Sequence, residues 1–168
     1  MNIAVAQTRS AGRVDRGTIK IMVSFFLNKA AARTGIRWGD ISVLLTGDPE
    51  CRDINRQHLG HDYETDVISF NLDPLPGDPE SLSHGEIVVN VTRARRMGPK
   101  FGGADRELAL YLAHGCDHLS GGEDSRPAER LQMRRRELRW LRAAKAAGLS
   151  FRLTAPGQSQ PSGGHRKP

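Results

Sequence analysis

Cysteine is scarce. Cys51 and Cys116 are the only two in 168 residues, too few and too separated for a disulfide framework, which fits a reducing cytosol. No apolar run approaches the roughly 18 residues that a membrane span needs. Met1 to Arg16 holds no apolar segment between a basic start and a small-residue cleavage site, so a cytoplasmic protein is expected rather than a secreted one. Aromatic residues make up 5% of the chain, and Trp38 and Trp140 read as packing residues rather than base-stacking platforms. The length suits one domain with a real core, expected over residues 1–152. Residues 153–168 are expected to be a disordered tail, since Thr154–Pro168 is Pro, Gly, Ser, Gln and basic residues without apolar anchors, and no role is expected for His165.

Positive charge is plentiful. Lys and Arg number 25 against 19 acids, a formal net charge of +6. Between Arg93 and Arg152 there are 14 basic and 7 acidic residues, a surplus of 7 in that stretch alone. Such a stretch suits a polyanion such as RNA, through phosphate contacts and counterion release. A solvated helix face is the commoner outcome of a charge run, so the balance is supporting evidence only.

Apolar periodicity outlines the elements. Met1–Gln7 alternates as a short strand. Thr18–Arg33 carries Ile19, Met22, Val23, Phe26, Leu27 and Ala30 at helical spacing. Asp40–Thr46 is a strand stopped by Gly47, and Asp48 then caps a helix holding Ile54, Asn55, Arg56 and Leu59, ended by Gly60. Thr65–Phe70 and Glu86–Val91 are two further strands, the latter apolar enough to be buried on both faces. Between them Asp73–Ser83 is a loop. Val91–Met97 continues as a short helix broken at Gly98-Pro99. Ala104–Leu119 and Pro127–Ala147 are strong helices, with Gly148 just past the second. In the last helix Leu131, Leu138 and Leu141 form the core stripe, and Arg134, Arg135, Arg136 and Arg139 its wet side. Four strands interleaved with helices indicate an α/β or α+β sandwich around one small sheet.

The densest chemistry lies in Leu112-Ala113-His114-Gly115-Cys116-Asp117-His118-Leu119. His114 and His118, four apart, share one helix face, and Gly121-Gly122 lets the chain fold back with Glu123 and Asp124. Two imidazoles and a carboxylate, with one position open to water, are the ligand set of a hydrolytic zinc site. Spacing favours Asp124 over Glu123 as the third ligand, although Asp124 is also placed to cap the last helix. Metalloproteases with this histidine spacing put a glutamate after the first histidine as general base. Gly115 cannot take a proton, which disfavours a protease.

At this point the chain resembles the YbeY family of metal-dependent endoribonucleases, whose signature is His-Gly-x-Leu-His-Leu-x-Gly-Tyr-Asp-His. The stretch from His114 to Asp124 matches it at His114, Gly115, His118, Leu119 and Gly121. Upstream, Ile54-Asn55-Arg56-Gln57-His58-Leu59 and Thr65-Asp66-Val67-Ile68-Ser69-Phe70 look like the family's Leu-Asn-x-x-x-Arg and Thr-Asp-Val-Leu-Ser-Phe. His84-Gly85-Glu86-Ile87-Val88-Val89-Asn90 looks like its Gly-Asp-Ile-x-Ile-Ser strand. The resemblance implies an α+β fold with a small mixed four-stranded sheet, about five helices and a zincin-like metal cleft. It also implies one zinc ion and a substrate in single-stranded rRNA near the small-subunit 3′ end, in rRNA maturation and ribosome quality control. Two departures fall on the family's functional positions. Its third ligand is histidine where Asp124 stands, and an arginine thought important for activity is replaced by Leu59.

The reaction expected on this basis is hydrolysis of an RNA phosphodiester at a metal held by His114, His118 and Asp124. Arg56, on nearly the same predicted face as Leu59, is the candidate substitute for the missing arginine, or else a plain surface residue. Arg93, Arg95 and Arg96 are the other candidates for the RNA backbone. Asp66 and Ser69 border the cleft or serve as caps and turns; the structural role is favoured. Expected partners are rRNA and the small ribosomal subunit, with ribosomal proteins or a ribosome-assembly GTPase, and neither a membrane nor a small-molecule cofactor. A non-catalytic ribosome-associated factor with a structural metal is the competing class.

Overall fold

The computed structural model describes residues 1–74, 76, 77, 79 and 81–154. Strands β1 (Asn2–Gln7), β2 (Arg37–Thr46), β3 (Val67–Leu72) and β4 (Leu82–Asn90) form one sheet in the order β1-β2-β4-β3. β1 pairs parallel with β2 and β2 with β4, while β3 runs antiparallel to β4. Helices α1 (Arg16–Thr34), α2 (Asp48–Leu59), α3 (Val91–Phe101), α4 (Ala104–Leu119) and α5 (Pro127–Ala146) complete it, with a 3-10 turn at Arg9–Ala11. This is the α+β fold with a mixed four-stranded sheet and five helices that the resemblance implies.

Both faces of the sheet are covered, and alternation along the strands sorts side chains between them. Ile41, Val43, Leu45, Ile87, Val89 and Val67 join the main core, formed with α1 and α4. Leu44, Val88, Ile68 and Phe70 turn the other way, toward Cys51 and Ile54 of α2. In α1, Ile19, Met22, Val23, Phe26, Leu27 and Ala30 are all buried, as their spacing predicts. Each of these side chains except Ala30 contributes on the order of 1.5–3 kcal/mol of transfer free energy. Trp38 donates its indole N–H to Leu27 O at 3.0 Å and Trp140 stacks on Phe26, so both tryptophans are packing residues.

α4 runs through the middle of the molecule. Beyond its first turn every residue is buried except His114 and His118. The helix reaches the sheet closely only because two glycines permit it. A Cβ on Gly115 would lie 2.6 Å from Ile87 Cγ2 and 2.9 Å from Val67 Cγ2, and one on Gly85 would lie 2.8 Å from Leu119 Cδ2. Position 115 therefore faces the sheet, and the protease reading fails on space as well as on chemistry.

Several expectations need correction. β2 and β4 begin earlier than their apolar runs, at Arg37 and Leu82, so the 73–83 loop ends in strand. The cap of α2 is Gly47; Asp48 lies inside the helix and accepts from Asn90 Nδ2 at 2.8 Å. α3 does not break at Gly98-Pro99 but continues to Phe101, because a proline near a helix end forfeits one hydrogen bond and the C-cap follows at Gly102. Leu131 is 53% exposed, and the buried stripe of α5 is Met133, Glu137, Trp140, Leu141 and Ala144, with Leu138 half-buried. Arg136 is not on the wet side, as shown below. At the end of α5, Gly148 is left-handed and closes the helix with Leu149 N–H to Ala144 O, as expected. Order also extends past residue 152: Leu153 is fully buried, and Thr154 bridges Val14 and donates to Asp105. The rest of the expected tail, 155–168, lies outside the described residues.

Candidate metal centre

One helical turn of α4 sets His114 Nε2 and His118 Nε2 3.1 Å apart. The chain then leaves α4 through Gly121, whose φ of +81° favours glycine, and returns Asp124 to the pair. Asp124 Oδ2 lies 3.9 Å from His114 Nε2 and 4.0 Å from His118 Nε2. A triangle with sides of 3.1, 3.9 and 4.0 Å has a circumscribed radius of about 2.1 Å, within the 2.0–2.2 Å range of Zn–N and Zn–O bonds. Among the described residues, His114, His118 and Asp124 are the group able to hold a metal ion. Glu123, the alternative ligand, instead borders a second cavity beside His118. Asp124 does not cap α5: that helix starts after Arg126, whose N–H is accepted by Glu129.

The outer ring nitrogens settle how the histidines present themselves. His118 Nδ1 lies 3.0 Å from Gly122 O, which can only accept, so Nδ1 carries the proton. His114 Nδ1 lies 2.6 Å from Oε1 of Glu137, a carboxylate 2% exposed. Both Nε2 atoms then converge at 3.1 Å, and in the neutral rings both present lone pairs that a cation can accept. The donor set fits zinc. Burial, the largest single influence on His114, pulls its pKa down, but the Glu137 hydrogen bond and charge, helped by Asp66 and Asp124, raise it overall.

A buried ion cluster braces the end of α4. Asp117, fully buried, accepts from Arg136 Nε at 2.7 Å and pairs with Arg33 at 3.5 Å. Arg33 also donates to Ser120 Oγ at 2.9 Å. Burial raises the Asp117 pKa while Arg136 and Arg33 oppose it. The brace fixes the turn that carries Gly122 and, two residues later, Asp124.

Two cavities flank the histidines. One of about 360 Å³ is lined by Asp66, Leu110, Tyr111, His114, Asp124, Arg130, Arg134 and Glu137. Burial pushes Tyr111 up to about 12, so its phenol stays a neutral donor. The other, about 290 Å³, is lined by His118, Leu59, Ser69, Asn71 and Glu123 among others. Asp66 and Ser69 thus border the cleft and also serve structure. Asp66 accepts from Val67 N–H at 3.0 Å, and Ser69 donates to Gly115 O at 3.2 Å.

The basic residues singled out from sequence are not gathered there. Arg56 pairs with Asp53 at 2.9 Å and Asp62 at 4.0 Å and lines neither cavity. Arg96 pairs with Asp48 and Glu64, and Arg93 donates to Glu64 O at 3.5 Å. Arg95 is spent on the backbone, donating to Ala11 O and Arg13 O at 2.5 and 2.7 Å. Sequence reasoning missed Glu137, Tyr111, Arg130 and Arg134 as site residues. Glu137 carried a signal, being a carboxylate in line with the apolar stripe of α5.

Known proteins resemble this chain in sequence and in fold. A protein from an Anaeromyxobacter species named Endoribonuclease YbeY is 33% identical over 160 residues, 95% of this chain and 80% of its own length. A Salinibacter ruber protein of the same name is 29% identical over 150 residues, covering 86% and 93%. A solution structure of a Thermotoga maritima protein shares the fold with a TM-score of 0.55 at 20% identity, covering 94% of this chain and 99% of that one. The family model described as Endoribonuclease YbeY matches residues 4–145, and on that match the chain belongs to the YbeY family.

Proposed function

We propose that the protein is a zinc-dependent endoribonuclease. Its substrate would be single-stranded rRNA in small-subunit 3′-end maturation and ribosome quality control, in the cytoplasm. The observation that carries this reading is the convergence of two Nε2 atoms and Asp124 Oδ2 on one point. A zinc ion held by His114, His118 and Asp124 supplies Lewis acidity toward a phosphoryl oxygen and a hydrolytic water of lowered pKa. The chain's own residues hold and orient. Glu137 keeps the proton on His114 Nδ1, Gly122 O keeps it on His118 Nδ1, and Tyr111 lines the cavity as a neutral phenol. The exposed pairs of Arg56 and Arg96 hold weakly, so both remain candidates for RNA phosphates outside the cavities.

No helix of the described residues is long and apolar enough to cross a membrane. The proposed partners are rRNA and the small subunit, with ribosomal proteins or an assembly GTPase. One observation favours a second reading, an RNA-binding factor without turnover: the Leu59 side of the cleft is lined by no arginine or lysine. A gel assay of purified zinc-loaded protein on a labelled rRNA 3′-end fragment separates the two. Cutting that is lost in both His114→Ala and His118→Ala supports the nuclease; retention in either variant sinks it.

A further inference from the structure

Resting on that reading, we propose that Arg130 and Arg134 of α5 form the phosphate-binding wall of the metal cleft and take the charge role that Leu59 cannot. Both line the cavity that holds His114 and Asp124. Four residues apart on one helix, they share a face about 5–6 Å apart at Cβ. Arg130 is exposed and has no side-chain partner among the described residues. Arg134 leans on Glu137 Oε2 at 3.8 Å, which aims it at the cavity while leaving it 46% exposed.

The alternatives are poorer. Arg95 is held by backbone carbonyls, and Arg56 and Arg96 are engaged by carboxylates outside the cavity. The opposite wall offers Leu59, Ser69, Asn71 and Glu123, which present no cation. An RNA phosphodiester reaching the metal therefore meets guanidinium only on the α5 side, and arginine is the side chain best suited to grip it bidentately. Asp66, Asp124 and Glu137 share the cavity and carry negative charge. Two arginines do not outweigh three carboxylates, so RNA binds more tightly once a divalent ion occupies the centre.

The test is fluorescence anisotropy of a labelled single-stranded oligoribonucleotide with the full chain, zinc-loaded and chelator-treated. It compares wild type with Arg130→Gln, Arg130→Lys and Arg130→Gln/Arg134→Gln. Each phosphate contact on single strands contributes about 0.7 to the slope of log K against log salt. The double variant should lose about 1.4 from that slope, roughly a 25-fold weakening at 0.1 M salt if affinities converge at 1 M. Arg130→Gln should lose about half of that slope and Arg130→Lys almost none. Zinc content, measured in parallel, should stay at the wild-type value, which separates an RNA contact from damage to Glu137 and His114. A double variant with the wild-type slope, or a wild type that does not bind the oligomer, overturns the proposal. Zinc-dependent cutting that persists beside an unchanged slope removes the arginine wall and leaves the nuclease standing. A lost slope with no cutting by wild type removes the nuclease and leaves the wall.

Discussion

Replacing Glu137 by Gln removes one negative charge and almost no volume. The carboxylate is buried and meets His114 Nδ1 at 2.6 Å, so its field is little screened. Outer partners of metal-bound histidines typically control 10- to 100-fold in affinity, or about 1.4–2.7 kcal/mol. The pH dependence has a definite sign. Glu137 raises the His114 pKa in the metal-free protein, and protons compete with the metal for that ring. Glu137→Gln lowers it, so the variant suffers less competition in acid. Its zinc deficit should be full well above both pKa values, near pH 8, and should narrow toward pH 6. In the metal-free fold, a raised histidine pKa gives stability that is present below the unfolded value and lost as pH rises through the folded one. The metal-free variant should therefore lose stability mainly on the acid side. Competition against a chromophoric chelator at pH 6, 7 and 8 reads the affinities. Zinc affinity within threefold of wild type at pH 8, or a deficit that widens in acid, would refute the account.

Gly115→Ala puts a methyl 2.6 Å from Ile87 Cγ2, and overpacking of this kind costs about 1–3 kcal/mol; an unchanged Tm would mean α4 does not pack as described. Arg136→Ala leaves Asp117 buried without its 2.7 Å partner. Denaturant unfolding should show a loss of about 3–5 kcal/mol, reduced to the extent that Arg33 takes over. Leu59→Arg, at a half-exposed position bordering the cavity beside His118, should leave stability within about 0.5 kcal/mol and steepen the salt dependence of RNA binding by about 0.7. An unaltered slope there would show that RNA does not pass on the α2 side.

Much of this arrangement was legible in the chain, and the gaps have physical causes. Strand alternation and the six-residue apolar stripe of α1 fixed the sheet and its main helix, because burial on one face writes a period into the residues. The group able to hold a metal was legible because helical spacing and a glycine turn act locally. Strand starts at Arg37 and Leu82 were not, since pairing with a neighbour extends a strand past its apolar run. The buried Asp117–Arg136–Arg33 cluster was invisible because it joins three helices, with Arg33 and Asp117 84 positions apart. Counting arginines on α5 as a wet face missed that Arg136 turns inward while Arg130 and Arg134 turn to the cleft. The engagement of Arg95 was hidden for the same reason, since its acceptors lie 82 and 84 residues away.

The central claim is that His114, His118 and Asp124 hold one metal ion. Elemental mass spectrometry of the purified full chain, beside His118→Ala and Asp124→Ala, tests it most directly. The account predicts about one zinc per chain in wild type, none in His118→Ala and a reduced content in Asp124→Ala. Wild type that stays metal-free after zinc is supplied and the excess removed, or an Asp124→Ala variant that keeps a full equivalent, would contradict it.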